Sequence, residues 1–265
     1  MGTSIALIIS AYNQTEVLAK VLRAVDLQRR PPDEVLVADD GSGADTRTLV
    51  DAWIRRSAIP ARHLWHADDG FRKTVILNRA LAAVTSDYVI FTDADCVPHP
   101  RFVSDHAKLA EPGFWVQGRR CFVREPYVPE FDPERVRLFS WAVRGRIDRA
   151  AKGLRSPKPL VLENSEQRGI LGCNLACWRT DAEAVNGFDE AYSGWGIGED
   201  SDFASRLYHL GLRRKLVYGH AILYHLNHPT LPRDHVPESR ARLAETLRTG
   251  RVRCEAGLDR HTSAR

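Results

Sequence analysis

Between residues 4 and 110, short apolar runs alternate with segments of helical period, and few folds accommodate that alternation. SIALIISAYN (4–13) is a buried-strand run that breaks at polar residues. Val17, Leu18, Val21, Leu22 and Val25 then share one helical face, and two prolines in RRPPD end the helix. EVLVADDGS (34–42) is a second strand, stopping at Asp39, Asp40 and Gly41. Helical 46–56, a short strand near 61–66 and helical 74–84 precede the strand DYVIFTDAD (87–95). Such repeats imply an α/β fold: one domain with a mostly parallel central sheet flanked by helices. Ligands bind such sheets at the carboxyl ends of the strands, near a topological switch point. Three strands here end in polar, turn-forming residues: SAYN, ADDGS and TDADC.

The second half is less regular. FWVQGRRCFV (114–123) reads as one strand, 133–152 as a long basic helix and 156–169 as an exposed loop suited to a lid. ILGCNLACWR is a strand, TDAEAVNGFDE a short helix and turn, and GWGIGEDSDFASRLYHLG opens with glycines and becomes a helix. No linker separates independent domains. The chain divides into halves 1–110 and 111–236 of one domain and a basic C-terminal segment, 237–265.

Composition, 43% hydrophobic and 27% charged over 265 residues, is that of a soluble globular protein. No apolar run approaches the ~20 residues of a membrane span. The N-terminus lacks a basic-then-apolar signal, so a cytoplasmic location is expected. Five cysteines at irregular spacing, with Cys173 and Cys177 lacking a second pair, point to buried free thiols rather than zinc. The net charge of +4 is concentrated in 133–155 and 238–265. These are either solvated faces or an attraction for an anionic partner, such as a phosphorylated ligand or the inner membrane surface. Neither segment interleaves aromatics as a nucleic-acid platform would.

With 20 Asp in the chain, chance predicts about 1.5 Asp-x-Asp pairs, and two occur, 93/95 and 200/202. Asp93 and Asp95 end a buried strand, where two carboxylates repel unless a cation sits between them. Hard oxygen ligands suit Mg²⁺ or Mn²⁺. Glu199, Asp200 and Asp202 open a helix, whose dipole favours ionised carboxylates able to take a proton. An acidic helix start without chemistry is the plain alternative.

The ordered set IISAYN, VADDGS, GFRKTVILNRAL, DYVIFTDADC, GCNLACWR with VNGFDE, and GWGIGEDSD resembles the GT-A fold, family 2 glycosyltransferases across residues 4 to 228. The second half is similar to the galactosyltransferase and chondroitin-polymerase type of C-terminal region. The resemblance implies a metal-dependent, inverting hexosyltransferase. It would move a sugar from a nucleoside diphosphate sugar, UDP-linked, to a hydroxyl of a glycan or glycolipid, as in bacterial surface polysaccharide or lipopolysaccharide assembly. Half 1–110 would bind the nucleotide sugar through Ser10, Ala11, Tyr12, Asp40, Arg72, Lys73, Asn78 and Asp93. Mn²⁺ (or Mg²⁺) would sit on Asp93, Asp95 and His225, with His228 as second choice. Asp200 would be the base, with Glu199 beside it, and Asn174, Trp195, Gly196 and Asp202 would face the acceptor. Ile197 and Gly198 intervene between GWG and ED, where similar enzymes carry one residue. Two other classes stand beside this reading. A nucleotidyltransferase-type metal enzyme would add a Gly-rich basic loop after the first strand, which SAYNQTEV lacks. A non-catalytic sugar-binding protein would have no use for both acidic clusters.

Overall fold

The computed structural model describes residues 2–194, 198–229 and 236–262. In chain order the elements are β1 (Ile5–Ala11), α1 (Thr15–Asp26), β2 (Glu34–Asp39), α2 (Ala44–Arg56), β3 (Ala61–Trp65), α3 (Lys73–Ala83) and β4 (Tyr88–Asp93). Next come β5 (Cys96–Pro98), α4 (Phe102–Leu109), β6 (Phe114–Gln117), β7 (Arg119–Val123), α5 (Leu138–Val143), β8 (Ile147–Asp148) and β9 (Leu160–Asn164). The last are β10 (Leu175–Trp178), α6 (Arg179–Ala184), α7 (Glu199–His209), β11 (Arg213–Tyr218), β12 (Ile222–Leu226) and α8 (Val236–Thr249).

Eight strands form the main sheet in the order β3-β2-β1-β4-β10-β6-β11-β9, and β5-β12-β7-β8 form a smaller one. The first four strands of the main sheet pair in parallel. β10 runs antiparallel to both β4 and β6. The α/β sheet is therefore mixed, parallel on its N-terminal side.

All of β1 is buried because both faces of the sheet are covered. Ile5, Leu7 and Ile9 join a core with Leu18, Val21 and Trp53 of α1 and α2. Ala6 and Ile8 join another with Ile76, Leu77 and Phe203 of α3 and α7. Register places Ser10 opposite Asp93 and Ala11 opposite Asp39, so the carboxyl ends of β1, β2 and β4 meet. After β4 the chain crosses to the small sheet at β5, which leaves Asp95 where the two sheets join.

Three expected elements differ. Residues 114–123 are two strands in different sheets, broken at Gly118, where a Cβ would lie 2.2 Å from the Ala221 carbonyl oxygen. The basic stretch 133–152 holds only α5, the short β8 and a 3-10 turn, and it bends at the positive φ of Gly145 and Arg149. It carries no apolar stripe long enough for one helix; Arg146 instead pairs with Glu130 and lies over the Tyr127 and Trp141 rings. The expected loop 156–169 contains β9, an edge strand registered antiparallel on β11. The basic C-terminal segment also packs inward past α8: Cys254 and Leu258 are buried, and Arg251 pairs with Asp189. Among the described residues, no helix is long and apolar enough to cross a membrane.

The start of α7 is fixed by a fully buried ion pair. Asp202 and Arg206, both without exposure, meet at 2.8 Å, and Arg206 also donates to the carbonyls of Val185 and Gly187. Removing one partner of such a pair leaves a buried charge. Arg206→Met is expected to cost about 3–5 kcal/mol, read as a lower urea midpoint at unchanged slope.

Candidate active site

A cleft of about 470 Å³ opens where β1, β2 and β4 end. On one side stand Ser10, Ala11 and Tyr12, with the Tyr12 ring 42% exposed rather than core and its hydroxyl donating to Asp68. Asp40 is buried beside it. His66 Nε2 lies 2.7 Å from one of its oxygens, and the Arg72 backbone N–H donates to the other at 3.0 Å. That bond hangs the 68–72 turn from β2 and sets the start of α3.

The floor is acidic. Asp93 accepts from Ser10 Oγ at 2.6 Å and faces Lys73 Nζ at 3.1 Å; Lys73 also reaches Glu199 at 3.9 Å. Burial alone would lower the Lys73 ammonium, but the surrounding Asp93, Asp200 and Glu199 hold it well above the ordinary lysine value. Across from it, α7 presents its first two residues. Burial raises the Asp200 carboxyl, which accepts from the Gly172 N–H at 3.2 Å. Burial and then the adjacent Asp200 push Glu199 up to about 7.

Asp95 belongs to a second group. Its Oδ2 lies 3.2 Å from His225 Nε2 and 3.0 Å from His228 Nε2. Burial works against its charge, yet hydrogen bonds from these two imidazoles hold its carboxyl far below the usual range. His228 Nδ1 lies 2.8 Å from the Pro229 carbonyl, which only accepts, so Nδ1 carries the hydrogen. The hydrogen bond to Asp95 raises the His228 imidazole, so the protonated ring donates to that carboxylate, and in the neutral ring Nε2 offers it a lone pair that a metal would take up. One ligand atom each from Asp95, His225 and His228 lies within 4.8 Å of the others, so the site fits a divalent ion held by oxygen and imidazole. Both histidines converge, not His225 alone.

Other expected residues sit elsewhere. Asn78 is fully buried, bridging the Phe188 backbone and Glu190, so its side chain faces no cleft. Asn174 is equally buried and bonds to Arg119 O, Ala221 O and His106. Asp202 is taken up by Arg206 and Thr246. These three correct their assigned donor and acceptor contacts: each clamps one loop to another. The Arg72 guanidinium turns to Ala67 O and Asp69, so this residue serves through its backbone. Trp195 and Gly196 lie outside the described residues. Sequence reasoning missed His66, Gly172 and Arg120. Arg120 donates to Cys173 Sγ at 3.1 Å, and that sulfur clusters with Asp93 and Cys96. Paired arginines inside a strand were its one signal.

The family model for glycosyl transferase family 2 matches residues 6–141, more than half of the chain. The chain belongs to this family. A second model, described as the N-terminal domain of galactosyltransferase, matches residues 161–229. The family 2 chain is 26% identical to chondroitin synthase of Escherichia coli over 85% of its own length, and 28% identical to validoxylamine A glucosyltransferase of Streptomyces hygroscopicus subsp. limoneus over 78%. It spans 35% and 48% of those proteins. Among solved structures it resembles mannosyltransferase PcManGT from Pyrobaculum calidifontis in complex with GDP-Man and Mn²⁺ (TM-score 0.58, 19% identity, 94% of this chain and 63% of that one). It also resembles S. aureus TarS 1-349 in complex with UDP (TM-score 0.64, 14% identity, 97% and 68%). The fold is GT-A and the chain is a glycosyltransferase.

Gly172 sets the position of Asp200 in this family 2 site. A Cβ at residue 172 would fall 2.1 Å from the Asp200 carboxylate. Gly172→Ala is expected to displace that carboxylate and lower turnover by about 10²-fold, as small misplacements of a reacting group do. Nucleotide affinity, measured by calorimetry, should stay within about twofold, because Gly172 is remote from the Tyr12 side of the cleft.

Proposed function

We propose that the enzyme is a divalent-metal-dependent, inverting transferase using a UDP-linked sugar and a hydroxyl of a glycan or glycolipid, in assembly of a bacterial surface polysaccharide or lipopolysaccharide. One observation carries this reading: two acidic groups, Asp95 with two histidines and Asp93 with Lys73, Glu199 and Asp200, meet at the switch point of the sheet. The neighbours solved with GDP-Man and Mn²⁺ and with UDP support a nucleoside diphosphate sugar and a metal in the same kind of cleft.

Tyr12 and Asp40 hold the nucleoside, the ring by stacking and the carboxylate by accepting from it. Asp95, His225 and His228 hold Mn²⁺, or Mg²⁺, which neutralises charge on the diphosphate when bound. Lys73 lines the cleft beside them and stabilises the leaving diphosphate through its ammonium. Asp200 takes the proton from the acceptor hydroxyl, since a neutral sugar hydroxyl is a weak nucleophile. Its raised pKa suits a base, and Glu199 beside it shares that proton.

Asp95→Asn is expected to abolish Mn²⁺ binding in calorimetry with UDP present, and His225→Ala or His228→Ala to weaken it by about tenfold or more. Unchanged Mn²⁺ affinity in all three would overturn the metal assignment. Asp200→Asn should lower kcat by about 10²-fold or more with donor binding near normal. The base must be ionised, and burial raises the Asp200 carboxyl above the usual range, so kcat/KM should fall as pH drops through that raised value. A profile that stays flat through the acid range would remove Asp200 from proton transfer.

We also place the enzyme at the cytoplasmic face of an anionic membrane. Phe139 is 77% and Val143 73% exposed on α5, with exposed Arg137 and Arg144 at its ends. Sedimentation with phosphatidylglycerol vesicles at low salt should fall sharply for Phe139→Ser, and binding that ignores this change would remove α5 from the contact.

A further inference from the structure

Beyond the acid floor, the small sheet steps outward from β5 through β12 and β7 to β8, away from β1 and β2. His225 of β12 stands between Cys96 of β5 and Phe122 of β7 in register. The His225 and Phe122 rings are 5.2 Å apart. Two guanidiniums flank that phenyl ring, Arg120 at 5.1 Å and Arg149 at 5.2 Å from its centroid. Arg120 reaches back to the floor through Cys173. Lys152 follows Arg149 and is lowered by burial and then by Arg119, Arg149 and Arg120 around it. Four cations thus crowd one wall next to the metal-ligand histidines.

Arg120 has the floor carboxylates Asp93 and Asp95 near it, but carboxylate partners in direct contact are missing. Among the described residues, none of the four forms an ion pair with a carboxylate. On the β8 side, Asp148 is opposite Phe122 in register but is held by Arg124 at 2.6 and 2.9 Å. Neighbouring Arg146 and Arg124 do have acidic partners. The Nε atoms of Arg119 and Arg120 are buried without any hydrogen-bond partner. Arg149 is a non-glycine residue in the left-handed region, φ 53°, a conformation that costs free energy and that packing must hold. Cations without direct carboxylate partners and orphaned donors, grouped beside His225, are features that an anionic ligand relieves.

We propose that this wall is an oxyanion subsite, and that the acceptor sugar carries a carboxylate or phosphate which Arg120, Arg149 and Lys152 hold while its hydroxyl faces Asp200. The inference rests on the transfer reaction proposed above and names the chemistry of its second substrate. Planar, forked guanidiniums bind either oxyanion with two bonds, and Lys152 adds a point charge.

The test is ligand-observed NMR titration of the full chain saturated with Mn²⁺ and UDP. The probes are methyl β-D-glucoside, methyl β-D-glucuronide and glucose 6-phosphate, against wild type and the surface double variant Arg149→Gln/Lys152→Gln. One or both charged probes should bind wild type about tenfold or more tighter than the glucoside. The variant should lose that preference with UDP affinity unchanged, and the tighter charged probe identifies the group. Equal binding of all three probes overturns the subsite, as does a preference the variant retains. A fall in UDP affinity in the variant also overturns it, because the cations would then serve the diphosphate. UDP titration of the wild type in the same samples reports separately on the transfer reading.

Discussion

Charge balance on the cleft floor governs this site. Asp93 and Asp95 arrive from the end of β4, and Glu199 and Asp200 from the start of α7. Four carboxylates in a mostly buried space would cost several kcal/mol each if left alone. Lys73 answers the first, third and fourth, and His225 and His228 answer Asp95. Lys73 can do so only because α3 begins there, and α3 begins there because Asp40 ties the Arg72 N–H to β2. A single backbone hydrogen bond on the nucleotide side therefore positions the cation on which the acidic side depends.

The acids that open α7 are held just as indirectly. Asp202 and Arg206 lock α7 against the 185–187 turn, and Thr246 and Arg251 close over Asp202 from α8 and the segment after it. Asn78 clamps that turn to α3 through both polar atoms of its amide. These polar groups are buried and almost fully bonded, so they rigidify the scaffold and hold the start of α7 beside Lys73.

The same residues show what the sequence could and could not disclose. β1, β2 and β4 were legible because a continuous apolar run ending in polar, turn-forming residues has one comfortable place, the edge of a covered parallel sheet. Asp93 and Asp95 stood out for the same reason, and the acids opening α7 for their place in the first turn of a helix. Asn78, Asn174 and Asp202 stand in motif-like strings too, and nothing in spacing separates a polar side chain aimed at a ligand from one bonded inside. Only long-range partners decide: Phe188 for Asn78, Ala221 for Asn174, and Thr246 for Asp202. The basic stretch 133–152 failed for a related reason. Its arginines look alike in sequence, but Arg146 finds Glu130 and two aromatic rings while Arg149 lies over Phe122.

The two sheets divide the work. The parallel side of the main sheet supplies Tyr12, Asp40 and the Lys73 helix start, which line the cleft at its carboxyl edge. The small sheet supplies His225, Phe122 and Arg120 and carries no residue of that pocket's far wall. Asp95 and Cys96 form the hinge between them, in adjacent positions bonded to each other at 3.1 Å. Side chains of β7 and of the turn after β8 can therefore change without moving β1, β2 or α3, since no strand of one sheet pairs with the other. Under the proposed function, choice of nucleotide and choice of acceptor are therefore structurally separable in this fold, with Asp200, reached from α7, at their border.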